Sequence, residues 1–401
     1  MKKIFLKLIA FFKKENISKY VVQIGMFFIA FVFFFFLAAE DVISSVIGAV
    51  IGFLFSTMLL YIFKVFVSYF EDLLKVNSDT ETMLQIYRGA PDYRKSITLN
   101  GTTMEFAYAD SLVDQQYNYH VVDDKEKMFE LDEFIQNNFI TIFGAHSNST
   151  KINSKTIRLD RFTKEGNDVT FYLSRSTVFN HLATNRAMDF ILFDDVTLRS
   201  IYEYGPRLNP YEKSKMSNHI GINGLVFLSD GRLLVPQRNG ASTISKNQIT
   251  SSIAIKLEFP TDGSQDITAD YLMRQNIIDN LTARIKLDPK DIDPERVKIQ
   301  FLGFGQHVYE GGKPQFYYAV TLLDIDTDRY FHLGRKNDNL KHIDVDKCIY
   351  VADYDTYTFG KRDLTFDVIG EDGSRKKKKV QYELSYLCNL WHYEKWKNAN
   401  S

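Results

Sequence analysis

Cysteine is almost absent: Cys348 and Cys388 are the only two in 401 residues. That leaves no thiolate metal motif and no disulfide framework, as expected of a reducing compartment. An excess of one charge is also missing, because 49 Lys+Arg stand against 50 Asp+Glu, for a net charge of -1. With no global positive field to hold a polyphosphate, no DNA or RNA polymer is expected as a partner. The balance hides two unlike parts. Residues 1–70 hold 15 of the 33 phenylalanines, seven Lys+Arg and three Asp+Glu, whereas the remaining 331 residues carry a net charge of -5.

Charge is entirely missing from Tyr20 to Ala39. Twenty apolar residues at about 1.5 Å each reach roughly 30 Å, so this stretch is expected to be a transmembrane helix. A second is expected over 42–63, with only Glu40 and Asp41 between the two. Six lysines precede the first span (Lys2, Lys3, Lys7, Lys13, Lys14 and Lys19) and Lys64 follows the second. The positive-inside rule then predicts a multi-pass protein of a bacterial inner membrane, with the N-terminus and the large remainder cytoplasmic. No small-residue cleavage region follows the first span, which argues against a signal peptide. No ionisable residue or proline interrupts either span, which argues against a transporter. Ser44, Gly48, Gly52 and Ser56 recur every four residues. They fall on one helix face, suited to close packing within the hairpin or between protomers, so the lipid bilayer and a homo-oligomer are expected partners.

After a helical stalk over 71–91, strand signals begin at Ile97, and Asn100-Gly101 marks a hairpin turn. Strands are expected at 157–161 and 169–173 around Gly166, and helices near 126–138 and 176–190, which makes 92–212 an α+β connecting region. From His219 the pattern sharpens. A strand over 220–228, a turn at 229–231 and a return over 233–237 precede an irregular polar stretch. Then come a strand over 253–259, a helix over 270–287, and strands over 297–304 and 315–323 flanking Gly311-Gly312. Arg375 to Lys379 reads as a hairpin arm before a terminal helix bearing Leu384, Leu387, Cys388 and Trp391.

This order of elements resembles the Nudix fold. "GINGLVFLSDGRLLVPQR" looks like the opening hairpin of that family and "EGGKPQFYYAV" like its later strand. The resemblance covers about 213–398 and implies a Nudix-like α/β/α sandwich. The expected fold class is therefore α+β: a two-helix transmembrane hairpin, a cytoplasmic α+β region and that sandwich. The family box G-x5-E-x7-R-E-U-x-E-E-x-G-U clusters glutamates on one helix to hold divalent cations. With the helix end set on Leu287, the positions expected to be R-E and E-E become Asp279, Asn280, Ala283 and Arg284. Set with the box arginine on Arg274 instead, the carboxylate positions become Gln275, Ile278 and Asp279. One carboxylate cannot position a two-metal attack, so no catalysis, metal or cofactor is expected.

A degenerate hydrolase pocket behind a membrane hairpin resembles the transmembrane Nudix-like effectors of bacterial cyclic-oligonucleotide antiphage signalling. That resemblance implies a domain that senses a cyclic oligonucleotide, oligomerises and disrupts the inner membrane. Phosphodiesters need Arg, Lys or N–H donors, and bases need planar groups and edge readers. The candidates are Arg238, Lys246, Asn247 and Gln248 on the polar loop, Lys256 on the next strand, and Gln306, His307 and Tyr317 on the later hairpin. Two alternatives stay open. One is a membrane-anchored hydrolase of nucleoside diphosphate derivatives with an unusual metal site at Asp262, Asp266 and Asp270. The other is a membrane scaffold that binds protein through the Nudix-like region.

Overall fold

A computed structural model describes residues 58, 87, 93–144, 152–192, 196–238, 247–336, 348–360 and 363–400. The chain divides into two compact units. The first comprises 1–78, 133–151 and 189–198. Among its described residues, α1 (Glu133–Gly144) buries Ile135 and Ile142 completely. The second unit, 79–132, 152–188 and 199–401, carries everything that follows.

Its elements begin with the hairpin β1 (Tyr93–Leu99) and β2 (Thr102–Val113), then β3 (Asn118–Met128). Next come β4 (Lys155–Glu165), β5 (Asp168–Thr177), α2 (Val178–Ala183) and α3 (Leu198–Tyr202). The centre is built from β6 (Gly221–Phe227), β7 (Leu233–Gln237), β8 (Ile253–Lys256), α4 (Asn276–Ile285), β9 (Val297–His307) and β10 (Lys313–Leu322). The chain closes with α5 (Thr327–Lys336), β11 (Cys348–Phe359), β12 (Asp363–Ile369), β13 (Arg375–Gln381) and α6 (Leu384–Asn400).

Ten strands form one sheet in the order β1-β2-β9-β10-β6-β7-β11-β12-β13, with β8 added beside β6; β3-β5-β4 form a second. The central pair β10–β6 is parallel, and most neighbours are antiparallel. Side chains alternate across a strand, and the central pair sorts its residues accordingly. Ile222, Val226, Phe316, Tyr318 and Val320 face a core shared with the small sheet and α4. Leu225, Phe227, Tyr317 and Ala319 face a core shared with α6. The two ends of the large sheet meet around α6: Asn100 Nδ2 donates to the Tyr357 carbonyl at 3.2 Å, and Tyr382 Oη lies 3.5 Å from Met104 Sδ.

Several expected elements coincide with observed ones. Asn100 and Gly101 both take positive φ, 46° and 75°, as a two-residue hairpin turn requires. The helix expected over 270–287 is a π turn at Tyr271–Gln275 followed by α4, closed by Lys286 in the left-handed conformation. Others differ. Residues 126–128 end strand β3 rather than begin a helix, and 176–190 yields only α2 and a short 3-10 turn.

The expected fold class requires correction. The observed fold is α+β and mostly sheet, and β1 and β2, from the segment expected as a connecting region, are strands of the large sheet. Among the described residues no helix is long and apolar enough to cross a membrane. The longest, α6, has 17 residues, about 26 Å at 1.5 Å per residue, and carries Glu394, Lys395 and Lys397. The two expected spans, with Ser44, Gly48, Gly52 and Ser56, lie outside the described residues. The multi-pass inner-membrane placement therefore receives no spanning helix from this structure.

Candidate functional site

One end of the β6–β10 pair is polar where the rest is apolar. Lys256, Gly221, Gln315 and Gly305 stand opposite one another across β8, β6, β10 and β9, and His307 pairs with Lys313 in the next row. Paired residues share a face, here the α6 face. A side chain at Gly221 would displace the Gln315 amide: an added Cβ would lie 2.0 Å from Gln315 Oε1. The Gln315 amide uses that space to accept from Asn223 Nδ2 at 2.7 Å.

The strands are joined there by the 3-10 turn Val308–Glu310, then Gly311 and Gly312 with φ of 58° and 84°. Such values favour glycine, and a Cβ on Gly311 would also sit 2.6 Å from Met188 Sδ. The turn delivers Glu310, whose carboxylate is 10% exposed, to Arg186 from the 3-10 turn Asn185–Ala187 and to Lys313 Nζ at 3.2 Å. Burial works to raise the Glu310 pKa, but Lys313 and Arg186 outweigh it and hold the carboxyl well below the usual range. The buried rings of His181 and His219 stack at 3.6 Å between centroids. Burial, helped by His181 and Lys313, drives the His219 pKa well down, so that imidazole is neutral at pH 7. His307 is also shifted down, by burial first; Lys313 and Arg186 add to this, whereas Glu310 and Glu383 oppose it. The influence of Glu383 brings a second pair to the same place. Arg238, just after β7, lies 3.5 Å from Glu383, just before α6, and its buried Nε has no hydrogen-bond partner among the described residues.

The sequence-predicted residues separate accordingly. Arg238, Lys256 and His307 gather at this polar end. Lys256 is held by Glu258 at 2.7 Å. Asn247 and Gln248 serve through their carbonyls, which accept from Gln237 Nε2 at 2.8 Å and the Arg238 N–H at 2.9 Å. Lys246 lies outside the described residues. Gln306 alternates to the opposite face, that of Phe304. Tyr317 is fully buried, its ring 4.7 Å from that of His392, and belongs to the α6 core. Sequence reasoning missed Arg186, Glu310 and Lys313. The last two flank Gly311-Gly312 in a fragment that already stood out, whereas Arg186 joins them from 124 residues away.

The expected alternative metal site is not assembled. Asp262 accepts the Ser264 N–H at 2.7 Å, and Asp266 pairs with Lys125 at 3.0 Å. Among the described residues no three of His, Cys, Asp and Glu are grouped for a metal ion. On the outer face of the small sheet is a separate cavity of about 350 Å³, lined in part by Lys127, Arg158, Asp160, Arg161 and Tyr172. Its cations are spent internally: Lys127 and Arg158 both bind Asp160, and Arg161 lies 3.9 Å over the Tyr172 ring.

Among the described residues the polar end holds four cations, Arg186, Arg238, Lys256 and Lys313, against three carboxylates, Glu258, Glu310 and Glu383. Each cation keeps between 12% and 26% of its side chain exposed. They remain reachable, yet sit where water screens them little, so a hydrogen bond to an anion is stronger than on an open surface. In comparisons with family models and with curated proteins, none matches this chain. The Nudix resemblance thus stands on the sequence fragments alone, and the transmembrane effector description is corrected as above.

Proposed function

We propose that the fold is a binding module for a phosphodiester-bearing nucleotide of the cyclic-oligonucleotide class, taken up at the polar end of β6–β10 without hydrolysis. The observation that carries this reading is the convergence of Arg186, Arg238, Lys256 and Lys313 around a glycine-floored row, with one cation more than carboxylates. One phosphodiester of such a ring carries a single negative charge, which matches the excess cation among the described residues. At 3.5 Å the Arg238–Glu383 pair is long, and the guanidinium keeps Nε without a partner among the described residues, so Arg238 has donor capacity for a phosphate oxygen while Glu383 stays beside it. The class of nucleotide comes from the sequence resemblance; the anion preference comes from the charges. A binding role is also supported by α4, where Asp279 already accepts from Gln275 Nε2 at 2.8 Å and has no second acid beside it in the box positions.

Isothermal calorimetry tests this with the full chain and two probes, a cyclic dinucleotide and a cyclic trinucleotide. Binding of at least one is expected, weakening as salt rises, and Lys313→Ala and Arg238→Ala should each lower the affinity. Unaltered affinity in both variants removes this end of the sheet from the site. No heat with either probe, at low salt, defeats the reading itself.

A further inference from the structure

His219 is 6% exposed and stands two residues before Gly221, just ahead of β6. The Asn185 side chain fixes it beside the Glu310 turn: Asn185 Nδ2 donates to Asn218 Oδ1 at 3.1 Å and to the Glu310 carbonyl at 2.7 Å, and the Asn218 N–H donates back to Asn185 Oδ1 at 2.8 Å. Pairing with the β8 side also runs on past Gly221, since the Leu257 N–H donates to the Ile220 carbonyl at 2.8 Å. Ile220 and Ile222 turn to the core of the small sheet and α4, which leaves His219 with Gly221 on the side of Lys256 and Lys313. Lys313, Glu310 and Lys256 all lie within electrostatic reach of its ring. That ring stacks on His181, and its Nδ1 is sealed from water with no hydrogen-bond partner among the described residues.

A buried polar atom left in this state lowers stability. A phenyl ring would keep both the stack and the burial without that loss, so packing does not account for an imidazole here. The neutral ring has one N–H and one lone pair. With Nδ1 sealed, the lone pair belongs there and the proton on Nε2, because a buried N–H without an acceptor is the rarer orphan. We propose that His219 is a ligand contact of the polar end, where its Nε2–H donates to an oxygen of the phosphodiester that Lys256 and Lys313 attract. This rests on the reading of that end as an anion site. The lysines supply charge on flexible stems, whereas a ring clamped against His181 fixes where one oxygen sits. A neutral donor adds direction without adding a further cation to a cluster already one positive charge in excess among the described residues.

Two measurements on the full chain test this, and the first reads the ring directly. With histidine labelled with nitrogen-15, the His219 Nε2 signal, assigned by its loss in His219→Gln, should shift when the cyclic dinucleotide is added. No shift with a cyclic probe that calorimetry shows to bind overturns the contact. If neither cyclic probe binds wild type, the nucleotide reading falls, and inorganic phosphate takes the place of the probe. A shift with phosphate then keeps His219 in an anion site, and a signal that phosphate leaves unmoved overturns the contact as well. The second measurement separates contact from packing. His219→Phe keeps the stack and removes the orphaned nitrogen, so its urea midpoint should equal or exceed that of wild type while affinity for the cyclic dinucleotide falls about tenfold. His219→Gln returns an amide N–H to the region of Nε2 and should bring affinity back to within about threefold of wild type. Wild-type affinity in His219→Phe, or His219→Gln binding no better than His219→Phe, overturns the proposal. If His219→Phe does not fold, the nitrogen-15 shift decides alone.

Discussion

The parallel pair β6–β10 has two ends with different chemistry on one face. Leu225 and Phe227, with Ala319 beside them, pack against α6 and bury their surface without hydrogen bonds from their side chains. Gly221 and Asn223, beside Gln315 and Lys313, occupy the same face and depend on an amide pair and on ions. A continuous apolar run would cover α6 at lower cost, since buried charges seldom repay their desolvation against packed hydrocarbon. The apolar end therefore answers to stability, and the polar end to something the fold alone does not require.

The widest separation between the two ends should come from Leu225→Ala. Leu225 is fully buried, and the loss of its side chain is expected to cost roughly 3–5 kcal/mol, the transfer term plus a cavity term. Denaturant unfolding measures this. Ligand affinity in the folded fraction should be unchanged, and a parallel loss of affinity would erase the distinction between the ends.

Two buried carboxyls sharpen the contrast through pH. Burial pushes Glu203 up to about 7, while Lys313 and Arg186 overcome the same burial at Glu310 and hold it low. For Glu203, the unfolded chain ionises near pH 4.5 and the folded one near 7, so unfolding between these values releases a proton. Stability then falls as pH rises through that window, by about 1.4 kcal/mol per unit and about 3 kcal/mol in all. For Glu310 the sign is reversed: its contribution is present above the unfolded value and is lost as pH falls. Urea unfolding across pH 2–8 should show Glu203→Gln flattening the decline between about pH 4.5 and 7, and Glu310→Gln weakening the loss below about pH 4.5. Two variants with the same slope would mean that these environments are not opposed.

At the polar end itself, Lys313→Ala should reduce affinity for the cyclic probes about tenfold to a hundredfold, the loss of a charged hydrogen bond worth about 1.5–3 kcal/mol. The salt dependence should become shallower in the same variant. An affinity that drops only in proportion to lost stability would make Lys313 a structural partner of Glu310 and nothing more.

Much of this was written locally in the chain, and some was not. Asn100-Gly101, Gly166 and Gly231 all take the positive φ that turns need, and the strands on either side of each follow. Lys256 and His307 were legible as polar residues on strands with definite neighbours. Lys313 and Glu310 sat beside a double glycine without being chosen, because one lysine at a turn is usually solvated and nothing local shows that a carboxylate is buried next to it. Arg186 and Arg199 could not be read at all. Each meets its partners more than a hundred residues away, and each comes from a short helical turn with no periodic signal. The strands β11 and β12 were missed for another reason: tyrosines and aspartates alternate there without a clear apolar face, and a register shift between Asp353 and Thr358 breaks the pattern.

The smallest effect is expected on the helix that resembles a catalytic one. Asp279 is the sole acid among the box positions when the helix is registered on Leu287, and it is partly exposed. Its two oxygens accept from Gln275 Nε2 at 2.8 Å and from Thr261 Oγ1 at 3.4 Å. A lone carboxylate with neutral partners can neither neutralise a pair of divalent cations nor aim them at a diphosphate. Asp279→Asn preserves the shape: its amide oxygen can accept from Gln275 Nε2, and its amide nitrogen can donate to the Thr261 hydroxyl, which reverses its role. Stability should therefore change by less than about 0.5 kcal/mol, as for other substitutions away from charged networks. Affinity for the cyclic probes should stay within about twofold, because the polar end lies on the α6 face and α4 packs on the other. The discriminating assay is phosphate release from nucleoside diphosphate derivatives with magnesium or manganese. Turnover by wild type that Asp279→Asn abolishes would place the chemistry on the α4 face and reverse the assignment of function to the polar end of β6–β10.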